Sequence, residues 1–227
     1  VDIHLKLGAS TIGVDYAAAL KRYKAGDPDM KDSWQRTKHA NFGFQGGLGW
    51  RTFILYSRAM FDTIFSESEA KEIKRLWLEE NPEASWYFAY VNDLLAGRDY
   101  TTIKQLREDR YRGRVRYCEI CNGFFQSLAA KGLKRALYQV SKACYSDPCN
   151  PLYGARPWDV VHDEIIAEAF AGQAHEAAIE LGQIMTREFN THAVPDVPTK
   201  AEPYIMERWS KNAGPVYKNG RLIPWKP

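Results

Sequence analysis

No run of consecutive apolar residues in this 227-residue chain approaches the roughly 20 that a helix needs to cross a bilayer. A spanning helix is therefore not the basis of its function, and no membrane partner is expected. The opening residues lack the basic-then-apolar pattern of a secretory signal. Cysteine is scarce: Cys118, Cys121, Cys144 and Cys149. The first two form a C-x-x-C, but the second pair is C-x4-C beside a proline. A structural zinc site uses a cleaner pair of motifs. Reduced thiols in a cytosolic protein are the expected state. Charge of one sign is also not in large excess, and a net charge of +3 does not by itself point to nucleic acid. No internal repeat or low-complexity segment occurs, which sets aside solenoids and linker-like chains.

What is present is an ordinary globular composition, 45% hydrophobic and 26% charged, on a chain long enough to bury a substantial core. Residues 14–25 read as a short helix stopped by Gly26 and Pro28. Asp29 then reads as the N-cap of a helix carrying Trp34, Lys38 and Phe42 until Gly46 and Gly47 break it. Further helical patterns cover about 49–60, a segment opening at Ser66 with a capping-box spacing, and about 83–97 after Pro82. Residues 104–116 are the densest basic stretch, with arginines around Tyr111. Such a run either tracks a nucleic-acid backbone or is a solvated loop or helix face. Residues 120–145 hold the longest helical pattern, with apolar residues at three- and four-residue spacing.

The last part of the chain changes character. Residues 158–170 read as two short strands joined by a tight turn at His162-Asp163-Glu164, and 174–189 as an amphipathic helix. A hairpin is expected at 216–222, where Asn219-Gly220 suits a type I′ turn. The fold class is thus α+β: a helical subdomain over residues 1–100, then residues 101–227 with a long packed helix and part of an antiparallel sheet.

Two stretches bear chemistry. In Val161-His162-Asp163-Glu164-Ile165, adjacent acids at the turn of a buried hairpin are costly unless something positive sits against them. Oxygen ligands of this kind suit Mg²⁺, and an acidic surface turn is the plain alternative. In Lys38-His39-Ala40-Asn41-Phe42-Gly43, Lys38 and Phe42 lie four apart and share one helix face. A cation beside a flat ring suits a nucleoside triphosphate. A core aromatic beside a surface lysine is the alternative.

Taken in order and spacing, these stretches resemble family A DNA polymerases. K-x-x-N-F-G stands at Lys38 to Gly43, and N-x-x-x-Q at Asn122 to Gln126 opens the long helix. V-H-D-E follows at Val161 to Glu164, and D-I-H precedes everything at Asp2 to His4. The resemblance runs from residue 2 to the region of Trp209 and implies a fingers-like subdomain followed by part of a palm. It implies that Lys38 binds the triphosphate and helps protonate the pyrophosphate leaving group. It further implies that Phe42 packs on the sugar, disfavouring dideoxynucleotides, and that His4 lies near the phosphates. Asp163 would be one of two metal-binding aspartates, supported by Glu164, with His162 near the primer terminus. Asn122 and Gln126 would contact primer or template DNA. The reaction implied is attack of a primer 3′-hydroxyl on the α-phosphate of a dNTP, with two Mg²⁺ ions.

The chain departs from the family at several places. Trp34 replaces an arginine four residues before the lysine, and Lys31 on nearly the same face is the expected substitute. Gly46 replaces a tyrosine, and Lys131 reverses the charge of an aspartate. These changes suggest a divergent branch, phage or plasmid borne, acting in the cytoplasm of a bacterial or phage-infected cell. Residues 1–20 contain no match to the first palm motif with the other metal-binding aspartate, and the chain opens on Val1. The expectation is that a separate or upstream polypeptide supplies that motif and the thumb, and that this chain alone does not polymerise DNA. The alternative is a non-catalytic DNA-binding remnant of such an enzyme.

Overall fold

In the computed structural model, which describes residues 1–227, helix makes up 57% of the chain and the strands form small sheets, an α+β fold. No helix is long and apolar enough to cross a membrane. The chain divides into two compact units, Val1–Phe124 and Phe125–Pro227.

The first unit opens on a helix that residues 3–12 do not advertise, α1 (Ile3–Ile12). Asp2 creates it: its carboxylate accepts the backbone N–H groups of His4 (2.8 Å) and Leu5 (3.0 Å), two donors that a helix start leaves unpaired. Gly13 ends it in the left-handed region at φ 69°. Then come α2 (Tyr16–Lys24) and α3 (Pro28–Gln45). The cap of α3 is Asp27 rather than Asp29, and Pro28 begins the helix instead of stopping its predecessor. A proline at the first helical position lacks only an N–H that would be unpaired anyway. Helices α1 and α3 pack closely because Gly8 has no side chain. A β-carbon there would lie 3.1 Å from Ser33 Oγ and 3.2 Å from Met30 Cε.

Helices α4 (Trp50–Phe61), α5 (Glu67–Glu80) and α6 (Glu83–Leu95) complete the helical layer. The capping box at Ser66 is formed in both directions, Ser66 to the Glu69 backbone and Glu69 back to the Ser66 backbone. Phe44, Phe53, Phe65 and Trp77 form the largest aromatic core of this unit. The basic stretch is neither a loop nor a helix face but a hairpin, β1 (Thr101–Lys104) and β2 (Tyr111–Val115). Ile103 and Val115 bury with Val91 and Leu95 of α6 and with Ile120 and Phe124, anchoring the hairpin in the first unit.

Helix α7 (Tyr117–Ser146) is 30 residues long and carries the chain into the second unit. There Val140, Leu152, Ile165, Ile184 and Met185 pack into one core. The antiparallel hairpin β3 (Arg156–Val161) and β4 (Glu164–Glu168) is followed by α8 (Ala174–Glu188) and a π-type turn at Phe189–Ala193. A last small sheet has the order β5 (Ile205–Met206), β7 (Arg221–Trp225), β6 (Val216–Lys218). Asn219 and Gly220 join β6 to β7 with φ of 51° and 76°, the two left-handed residues of a type I′ turn.

Candidate functional site

The N-terminus of α1 meets the middle of α3 at a corner built from Asp2, His4, Trp34, Lys38, Asn41 and Phe42. Asp2 uses one oxygen to cap α1 and the other to accept the Trp34 indole N–H at 2.9 Å. Burial pushes the Asp2 carboxyl upward, but the Leu5 N–H, the Trp34 indole and the His4 N–H outweigh it, so Asp2 stays below its usual range. The His4 ring stands edge-on to Trp34 (centroids 5.6 Å) and tilted against Phe42 (5.7 Å). Lys38 Nζ sits 5.2 Å from the Trp34 ring centroid, within cation–π reach. Thr37 ties the helices by donating to the His4 carbonyl at 2.7 Å. Burial and the Lys38 charge push the His4 pKa down against the pull of Asp2, and the net direction is downward. The corner thus presents one ammonium, one neutral imidazole and a Phe42 ring that is 52% exposed, too open to be core.

Trp34 holds Asp2, His4 and Lys38 in place and has its one side-chain N–H spent on Asp2. Lys31 does not join the corner. A seven-residue spacing shares a face but separates the residues by roughly 10 Å along the axis. Its Nζ lies 3.7 Å from where a β-carbon on Gly26 would stand. Arg36 is engaged elsewhere, donating to Glu69 at 2.7 Å and covering the Phe65 ring.

At the end of α3, Gly46 is glycine for a packing reason. A β-carbon there would lie 2.7 Å from the Asn122 side-chain nitrogen. Asn122 itself donates to the Cys118 carbonyl at 2.9 Å and is half-buried. Gln126, one turn further on α7, is exposed. Cys121 is buried, and burial pushes its thiol up to about 12, which leaves it protonated and unreactive. All four cysteines are free.

The carboxylate turn lies in the second unit. Val161 pairs with Glu164, so His162 and Asp163 form a two-residue turn. His162 has φ 56°, in the left-handed region that favours glycine, so the tip is strained. The flanking Ile165 is buried, but Asp163 and His162 are exposed and Glu164 is half-buried. The premise of buried acids is therefore corrected: alternation along β4 puts Ile165 inside and leaves the turn in solvent. Glu164 accepts the Tyr204 hydroxyl at 2.8 Å. Burial, that hydrogen bond and the charges of Glu164 and Asp163 push the Tyr204 hydroxyl up to about 12. Beside the turn lies an open cavity of about 1290 Å³, with Asp163, Glu164, Tyr204, Met185 and Trp209 on its wall. No three His, Cys, Asp or Glu side chains come together to hold a metal. Asp163 and Glu164 offer hard oxygen donors of the type Mg²⁺ takes, and fit it as part of a larger ligand set.

Of the residues picked out by sequence, His4, Lys38 and Phe42 meet at the corner, while Asp163, Glu164 and His162 share the turn. Lys31 is apart, and Asn122 is turned onto Gly46. Sequence reading missed Asp2 as a cap, Trp34 as a platform, and the pairings of Asn41 and Tyr204. The four-residue step from Trp34 to Lys38 was a signal for Trp34, and the N-cap preference of aspartate was one for Asp2; the long-range pairings of Asn41 and Tyr204 had none. Comparison of the chain with models of known protein families and with curated proteins gives no match.

Proposed function

We propose that this chain supplies the incoming-nucleotide corner and a metal-binding turn of a template-directed DNA polymerase similar to family A. The observation that carries the reading is the convergence of His4, Lys38 and the exposed Phe42 ring at the α1–α3 corner. A dNTP needs positive charge and N–H donors for its phosphates and a flat apolar surface for its sugar, and this corner offers both. Lys38 binds the triphosphate as a point charge and helps protonate the departing pyrophosphate. Phe42 packs on the deoxyribose. Asp163 and Glu164 would hold Mg²⁺, which when bound stabilises the attacking 3′-oxygen and the leaving oxygen. Tyr204 keeps the Glu164 carboxylate oriented. Primer and template DNA meet the Gln126 and Asn122 region of α7 and His162 at the turn. The other metal-binding aspartate comes from a separate or upstream polypeptide, without which the chain does not extend a primer.

Primer extension with Mg²⁺ and dNTPs tests this, using the chain alone, the chain mixed with that polypeptide, and the mixture carrying Asp163→Ala. Extension only in the unsubstituted mixture is expected. A second reading, a non-catalytic DNA-binding remnant, is favoured by the engagement of Trp34 with Asp2 and of Gly46 with Asn122. Primed DNA bound by the mixture without extension would select it.

A further inference from the structure

We infer that Trp77 and Asn41 lock His4 in its neutral, Nε2-protonated tautomer, so that His4 meets a phosphate as an uncharged donor and Lys38 alone supplies charge. Only the phosphate in that statement rests on the nucleotide reading above. The lock itself follows from hydrogen-bond bookkeeping.

Trp77 is buried on α5, stacked near Phe88 and edge-on to Phe44, and its indole N–H can only donate. It lies 3.0 Å from an Asn41 side-chain atom, which must therefore be the carbonyl oxygen, Oδ1. That choice sets the other end of the amide. Asn41 Nδ2 then carries two hydrogens toward the Thr37 carbonyl (3.1 Å) and His4 Nδ1 (3.0 Å), with the Ile3 carbonyl further away at 3.4 Å. A nitrogen facing an N–H donor at 3.0 Å must accept, so His4 Nδ1 is bare and the ring proton sits on Nε2.

Protonating His4 would place an N–H on Nδ1 directly against the Asn41 N–H. Relieving that clash means turning the amide, which would set its NH₂ against the Trp77 N–H inside the core. The charges around the ring do not offset this. Asp2 keeps its charge while capping α1 and holding Trp34 and so favours a cationic ring, but burial and Lys38 together outweigh it, and Phe42, Trp34 and Thr37 carry no charge. The lowered pKa of His4 agrees in direction. Asn41 is thus a positioning residue: it acts on a ligand only through His4.

Long-range ¹H–¹⁵N spectra of the ¹⁵N-labelled full chain test this, with the His4 signals assigned by His4→Gln. The expected result is a pyridine-type Nδ1 and a pyrrole-type Nε2, unchanged through neutral pH. Trp77→Phe should convert them to a tautomer average. Asn41→Asp should reverse them by accepting an Nδ1–H, and at mildly alkaline pH it should weaken dTTP binding roughly tenfold or more. A wild-type Nδ1–H tautomer, or an intact lock in Trp77→Phe, overturns the inference. Titration with dTTP separates the two claims. A locked His4 without dTTP binding leaves the relay standing and sinks the nucleotide reading, whereas dTTP binding to an unlocked His4 does the reverse.

Discussion

His39 is the residue whose chemistry reaches furthest beyond its place in the chain. It is buried, its ring stacks on Phe61 with centroids 3.8 Å apart, and its Nδ1 has no hydrogen-bond partner. Burial first, then the charges of Lys38 and Arg36, hold its pKa below the ordinary 6.5. The unfolded chain therefore takes up a proton near 6.5 that the folded chain resists. The stability this histidine contributes is present above that pH and is lost as pH falls through the folded value. Urea unfolding followed from neutral to mildly acid pH should show a falling midpoint with a shallower slope in His39→Phe. His4 has the same sign, so the slope should not vanish. An unchanged slope would remove His39 as a source of acid lability. Sequence reading reached Lys38 and Phe42 because residue type and a four-residue spacing express them, and His4 only through the resemblance carried by Asp2-Ile3-His4. It could not reach Asn41 with Trp77, which are 36 positions apart and meet only through packing. It also overrated Lys31, because sharing a helix face does not mean sharing a height on it.

Among the elements, α7 carries the sharpest conflict between local preference and packing. Gly132 sits in its interior, where alanine would gain about 1 kcal/mol of helix propensity. A β-carbon there would lie 2.7 to 2.8 Å from three atoms of the Phe189 ring, which the π-type turn presses onto the helix. Overpacking of this kind costs about 1–3 kcal/mol, so packing wins or at best balances. Gly132→Ala should lower the thermal midpoint, and Gly132→Ala with Phe189→Leu should recover part of the loss. A rise in the single variant would mean that the ring has room to move. By contrast, Ser66→Ala should cost about 1 kcal/mol through loss of the α5 cap, read from chemical denaturation. The elements that sequence revealed were those with helical spacing, recognisable caps or an Asn-Gly turn. Helix α1 was hidden because its buried face, Leu5, Gly8 and Ala9 at three- and four-residue spacing, is made mostly of residues too small to register as an apolar stripe. The hairpin β1–β2 was hidden because β2 is exposed at every position but Val115, which leaves no alternation to see.

At the scale of the molecule, the donors for a triphosphate lie in the first unit and the candidate metal carboxylates in the second. That partition makes the two halves of the proposed chemistry separable by experiment. A ligand that binds only the folded form stabilises it by RT ln(1 + [L]/Kd), about 2.7 kcal/mol at a hundredfold excess over Kd. If dTTP binds the corner, the stabilisation belongs to the state that keeps α1 docked on α3, since Lys38 and His4 come from different helices. Hydrogen exchange with saturating dTTP and no Mg²⁺ should then slow at the amides of α1 and α3. Lys38→Ala should abolish the protection, while Phe42→Ala should reduce it by the loss of one exposed ring contact. Asp163→Ala should leave it intact, because that carboxylate takes part only when metal is present. The control reads in both directions. Protection lost equally in Asp163→Ala and Lys38→Ala would place the nucleotide against the carboxylate turn. Protection insensitive to Lys38 would mean that the α1–α3 corner is a structural joint held by Asp2, Trp34 and Asn41 and nothing more.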